Sequence, residues 1–291
     1  MGFVKSPFNY TGGKYKLLPQ ITPYFPNAID VMVDAFAGGF NVGVNIGAET
    51  IVYNDLLTPI AELQKYFYSH NAEDILLYID KTIMDYGLSM YDKDSFNVFR
   101  EHYNETSDCP LDLYILMCFS FNYMARWNTK HQYNSSHGTN RSSYNKNLRR
   151  RLATYISTLQ EKNVLFYNCN FTDHKLYQDI TQDSFVYLDP PYYLSTANYN
   201  DGNRGYVQWA DHEEQHLYQL LNRLQDQNIP YGLNNLLYHK DKTNPYLHEF
   251  LYENSKDLRI VQMQNNYDNC NYQKTAQTGN TVELYITNIK D

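Results

Sequence analysis

The stretch "AIDVMVDAFAGG" (residues 28–39), followed by "TIVYND" (residues 50–55), decides the fold. Ile29 to Ala35 form a short apolar run of the kind found in strands buried on both faces of a parallel sheet. The run breaks on Gly38 and Gly39, which permit positive φ or close approach of a ligand to the backbone. A second apolar run then closes on Asp55. Between them "NVGVNIG" (41–47) is read as the crossover helix. The result is a β-α-β unit with glycines at its first turn.

Upstream, "NYTGGKYKLLPQI" (9–21) reads as a glycine turn leading into a short helix, with Lys14 near the helix start. Downstream, residues 60 to about 125 are amphipathic and read as helical through "IAELQKYFYSH", "AEDILLYIDKTIMDYG" and "DLYILMCFSFNYMARW". Residues 127–147 form a loop rich in Asn, Ser and Thr. "RRRLATYISTLQEKN" and "DHEEQHLYQLLNRLQDQN" are helices, the second with an acidic first turn that suits its positive end. "VLFYNCNF", "SFVYLD" and "IPYGLNN" are strands, and "LRIVQMQ" and "TVELYITN" an antiparallel pair. The fold class predicted is α/β, with a helical insertion around 60–147.

The 291 residues amount to one large domain or two modest ones. No apolar run approaches the roughly 20 residues of a membrane helix, and the N-terminus lacks a long apolar signal segment, so no membrane partner and no secretion are expected. Cys109, Cys118, Cys169 and Cys270 form no C-x-x-C pair, and the nine histidines show no ligand spacing. A reducing cytoplasm and no metal are therefore expected. His131 and His137, in the polar loop, are expected to face solvent. Net charge is −8, yet Leu113 to Gln160 contains no Asp or Glu and seven cations: Arg126, Lys130, Arg141, Lys146, Arg149, Arg150 and Arg151. A basic patch on an acidic body suits a polyanion bound on one face; the alternative is a solvated polar loop.

Two constellations carry chemistry. Asp55 lies 17 residues past Gly38, where nucleotide-binding α/β sheets place an acid for ribose hydroxyls. "FAGG" is not G-x-G-x-x-G, which disfavours a pyrophosphate and leaves room for a nucleoside such as S-adenosylmethionine. The other is Asp189-Pro190-Pro191-Tyr192, at the carboxyl end of a strand. An aromatic amino group is a poor nucleophile because its lone pair is delocalised into the ring. The Asp189 carboxylate and the Pro190 carbonyl, the latter fixed by proline geometry, are two acceptors that would free it. Tyr192 would stack on the base, which must be swung out of a duplex to be reached.

"PFNYTGGKYKLL", "DAFAGG", "YND", "YLDPPYY" and "ELYITN" follow one another as in the Dam-type (D-P-P-Y) DNA adenine methyltransferases of bacteria and phages, which the chain resembles over nearly its whole length. The resemblance implies a Rossmann-like S-adenosylmethionine-dependent methyltransferase sheet. Its catalytic parts would be residues 1–59 and 148–291, around a mainly helical target-recognition insertion at 60–147. Tyr10 and Lys14 would lie at the methionine end of the methyl donor. Phe36 and Gly38 would line its pocket, Asp55 would hold its ribose, Phe171 would pack on its adenine and Asp189 would border it. Asp189, Pro190, Pro191 and Tyr192 would hold the flipped adenine. "FNYMARWNTKHQYN" is similar to the family's recognition segment, with Arg126 and Asn128 at an R-x-N position. Lys130, Tyr133, Asn134, Arg141, Lys146 and Arg149 complete the expected DNA contacts. Three stretches depart from the family pattern: Asn170 stands in place of an acid, "GLNN" in place of Leu-Ser-Asn, and "YNSSHG" in place of "FN-x-P-x-G". The implied partner is double-stranded DNA in a bacterial or phage setting, with GATC the family's commonest target. A monomer is expected, a dimer on DNA being the alternative. Methylation of cytosine's amino group, or an inactive DNA-binding relative, are the competing readings.

Overall fold

A computed structural model describes residues 2–10, 12–194, 199–200, 206–207, 209–264 and 281–290. Its strands are β1 (Val31–Asp34), β2 (Thr50–Asn54), β3 (Val164–Tyr167), β4 (Phe185–Leu188), the short pair β5 (Tyr199–Asn200) and β6 (Tyr206–Val207), β7 (Tyr231–His239), β8 (Lys242–Thr243), β9 (Arg259–Gln262) and β10 (Thr281–Thr287). The main sheet runs β3-β2-β1-β4-β7-β10-β9, with β8 on β7. Strands β3, β2, β1, β4 and β7 are parallel, and β10 enters antiparallel between β7 and β9. The chain turns one way from β1 and the other way from β4, so the switch point at which Rossmann-like sheets bind ligands lies between their carboxyl ends. Asp34 and Asp189 stand there.

Alternation along the strands divides the core in two. Met32, Ile51, Tyr53, Phe185 and Tyr187 face one layer; Val33, Val52, Val186 and Leu188 face the other. The first layer holds α1 (Leu18–Ile21), α2 (Thr58–Ser69), α3 (Ala72–Asp85), α4 (Lys93–Glu105), α5 (Pro110–Phe119) and α6 (Lys146–Gln160); the second holds α7 (Asp211–Asp226) and α8 (Pro245–Asn254). Helix α5 is buried on every side from Leu111 to Phe119, as expected of an apolar helix inside a helical layer. Side chains of Asn71, Asp92 and Asn145 cap α3, α4 and α6.

Three expectations are corrected. Residues 41–47 make a single 3-10 turn, Gly43–Asn45, rather than a helix. Phe40 has φ +58°, and a Cβ on Gly43 would lie 2.1 Å from the Phe40 ring, so backbone and ring are folded together too tightly for a regular helix. Helix α5 ends at Phe119, because the backbone turns extended at Ser120 (ψ 153°), and the positive φ of +58° at Asn122 and Tyr123 keeps it from resuming. His137 is buried rather than solvent-facing: it packs on Phe96 and bonds the Ser89 carbonyl and the Thr139 hydroxyl. Among the described residues no helix is long and apolar enough to cross a membrane.

Candidate active site

The end of β4 brings together residues from both extremes of the chain. Lys14 Nζ lies 2.6 and 2.7 Å from the two oxygens of Asp189, and donates to the Gly12 carbonyl at 2.8 Å. It is 3.8 Å from Glu283 Oε1 and 5.0 Å from the centre of the Tyr192 ring. The Tyr192 hydroxyl donates to Glu283 Oε1 at 2.6 Å and sits 3.3 Å from Asp189 Oδ1. The ring of Tyr192 is therefore held in one orientation by a buried carboxylate on β10 and a cation from the first helical turn. Burial pushes the Asp189 carboxyl up and Lys14 pulls it back, leaving it at about 6, so it is a carboxylate at neutral pH. Lys14 thus sits on Asp189.

Beside this cluster, the turn after β1 forms a cradle. Gly38 has φ +47°, and a Cβ there would stand 2.5 Å from Tyr10 Cε1, so the Tyr10 ring lies directly over the glycine backbone. Asp55 accepts from Gly38 N and Leu57 N, each at 2.8 Å, and from the Tyr10 side chain. It therefore shapes the turn itself, and keeps spare lone pairs for one further donor. Burial raises it to about 6. Asp34, also buried, accepts from Gly43 N at 3.2 Å and is pushed to about 8, chiefly by burial. The other wall is aromatic: Phe36 lies 5.1 Å from Phe171 and 5.6 Å from Trp209, and Phe171 lies 5.4 Å from Trp209. The Trp209 indole N–H donates to Glu214, a fully buried acid that also accepts from Tyr218, Asn235 and Asn244.

A model of the D12 class N6 adenine-specific DNA methyltransferases matches residues 10–274. The chain belongs to that family. It is 41% identical over 286 residues to the type II methyltransferase M.FokI of Planomicrobium okeanokoites, and 38% identical over the same length to the modification methylase StsI of Streptococcus sanguinis. Each match covers 98% of this chain and 43% of the relative, so the chain spans less than half of those proteins. A DNA adenine methylase of Haemophilus influenzae is 26% identical over 64% of this chain and 63% of its own.

In this D12-class chain the basic stretch is built on a hairpin. Trp127 pairs antiparallel with Tyr133, and Asn134 N donates to the Arg126 carbonyl at 2.9 Å. Alternation then turns Arg126 and Asn134 outward, and both are exposed. Tyr133 is a core residue instead of a DNA contact: it is 1% exposed, its hydroxyl pairs with Ser120 and the Met124 carbonyl, and Trp127 and Tyr103 cover its ring edge-on. Asn128 Oδ1 accepts from Lys130 N and Gln132 N, so that side chain shapes the tip. Lys130, Arg141 and Lys146 are exposed, Arg141 lying 4.9 Å over the Phe121 ring. Arg149 is not a free cation: Asp80 of α3 accepts from it at 3.0 and 3.1 Å. Sequence reasoning missed Asp34, Trp209, Glu214 and Glu283; the available signal was a lone acid inside an apolar strand for Asp34 and Glu283.

Proposed function

We propose that the chain moves the methyl group of S-adenosylmethionine to the exocyclic amino nitrogen of an adenine swung out of duplex DNA. The observation that carries this reading is the partly buried Asp189 carboxylate, oriented by Lys14 and standing beside the Tyr192 ring at the switch point of the sheet. Its remaining lone pairs and the Pro190 carbonyl accept from the amino group's two N–H bonds, freeing the nitrogen lone pair for in-line attack. Tyr192 stacks on the base, its ring already fixed by Glu283, so little ordering remains to be done on binding.

The chain suits this donor. The Phe36, Phe171 and Trp209 rings suit a nucleobase, and Asp55, with a lone pair to spare, suits a ribose hydroxyl. S-adenosylmethionine supplies an electrophilic methyl on a sulfonium. Residues 60–147 are read as the target-recognition insertion and residues 1–59 and 148–291 as the catalytic parts. Arg126, Asn134, Lys130, Arg141 and Lys146 face DNA, and Asn128 holds the hairpin tip. The reaction belongs to the bacterial cytoplasm, with the chain acting as a monomer. Greater identity to modification methylases than to the DNA adenine methylases favours a modification role, with GATC the first sequence to test.

The test is transfer of label from tritiated donor to duplex DNA, followed by mapping of the modified base. Asp189→Asn replaces half of the acceptor by a donor and should lower the rate about a hundred- to a thousandfold. Near wild-type turnover by that variant, or label recovered on cytosine, would overturn the reading.

A further inference from the structure

A cavity of about 320 Å³ opens between the N-terminal segment, α5 and the start of α6. Its polar lining includes Lys5, Asn9, Tyr114, Asn145, Asn147 and Arg151, and no carboxylate lines it. Lys5 and Arg151 are both half-buried, and among the described residues neither is paired with an acid. Lys5 makes a loose contact with the Tyr15 ring at 5.8 Å. Burial, and then the charges of Arg151 and Lys16, hold its ammonium below the usual lysine range. Tyr114 is fully buried, and its hydroxyl has no oxygen or nitrogen partner among the described residues; the Cys118 thiol is beside it. The positive end of α6, capped by Asn145, completes the wall. Two cations that repel one another and a buried unsatisfied donor are relieved together by an anion.

We propose that this cavity seats one phosphodiester of the DNA backbone, held by Lys5 and Arg151 with the Tyr114 hydroxyl as a neutral donor. The assignment rests on duplex DNA being the substrate. It favours the backbone over a free nucleotide because of where the cavity lies. It adjoins the segment that leads to Lys14, and Asn9 ties that segment to the Asn122 carbonyl, just ahead of the hairpin that presents Arg126. A strand running from the recognition hairpin to the catalytic pocket would pass the cavity mouth.

The experiment uses duplexes in which each phosphate in turn is replaced by a neutral methylphosphonate. The wild type should lose affinity at a small set of positions. Lys5→Gln/Arg151→Gln should become insensitive at one of those positions. Its log affinity against log salt should flatten by about 0.9 for that phosphate. S-adenosylmethionine affinity, measured by calorimetry, should stay unchanged. Tyr114→Phe should weaken DNA binding about three- to tenfold. If the double variant also loses donor binding, Lys5→Gln alone makes the same test. A wild-type salt slope and methylphosphonate pattern in a variant that still binds donor would overturn the proposal while leaving the methyltransferase reading intact. Stabilisation of the wild type by inorganic phosphate, with the methylphosphonate pattern unchanged in the variant, would make the cavity a free-anion seat and also overturn it. A wild type that binds no duplex at any salt would remove both readings.

Discussion

Lys14 and Glu283 both act on the Asp-Pro-Pro-Tyr motif. The cation keeps the Asp189 carboxyl near 6 against the pull of burial, and the anion holds the Tyr192 hydroxyl. If Asp189 must accept in its ionised form, the rate should fall as pH drops through about 6. Lys14→Gln removes the charge that lowers the carboxyl, so the acidic limb of the kcat profile should move to higher pH; an unmoved limb would detach Lys14 from this role. Asp34 gives a second pH signature, in stability. It is raised from 3.8 to about 8, first of all by burial, so between those values the folded chain holds a proton that the unfolded chain has released. Its contribution is full at low pH and is lost as pH rises through about 8. Asp34→Asn should therefore flatten the decline of melting temperature across that window. At this scale the motif residues were legible because Asp-Pro-Pro-Tyr is contiguous. Glu283 was not, since a single acid in "TVELYITN" acquires meaning only when β10 is laid beside β7.

The Trp127–Tyr133 hairpin is the element with the clearest division of labour. Trp127 and Tyr133 point inward and Arg126 and Asn134 outward, so neighbours in sequence have opposite tasks. Tyr133→Phe loses a buried hydroxyl with two partners and should cost about 1–3 kcal/mol in thermal or urea unfolding, with the salt dependence of DNA binding preserved. Arg126→Ala should leave stability alone and relax discrimination between target sequences, read by base-resolved mapping of methylation, because a guanidinium reaching a guanine edge carries sequence information. The inward set could not be told from the outward set in a loop of mixed polar residues, where no long periodicity exists. Helix α8 went unread for a different reason. It is ten residues long, and its start signals, Asn244 bonding Leu247 N and Pro245 at the first position, are embedded in "DKTNPYL".

For the whole molecule, the order of strands does what no single motif can. The two apolar runs at the front of the chain, β1 and β2, revealed the parallel half of the sheet and its glycine turn, although the link between them is a 3-10 turn and not the helix expected. The antiparallel insertion of β10 between β7 and β9 depends on contacts distant in sequence, and a local pattern shows the pair without its place. Gly38→Ala tests the joint between the N-terminal segment and this sheet. The added methyl meets the Tyr10 ring and a positive φ, each unfavourable, so donor affinity should fall and the chain should melt earlier. Unchanged calorimetric binding would mean that the Tyr10 ring can move aside without loss.

The pairing of Tyr192 with Glu283 has a consequence in time. Translation delivers Lys14 first, the Asp-Pro-Pro-Tyr turn much later and β10 last of these, yet β10 supplies the acid that fixes the tyrosine. A nascent chain lacking residues 281–287 has its central strands but neither the Glu283 anchor nor the strand that joins β7 to β9. The site is therefore completed only after β10 has followed the other strands, by a long-range strand insertion of the kind that folds slowly. Until β10 has been made and inserted, the Tyr192 hydroxyl has no Glu283 to hold it.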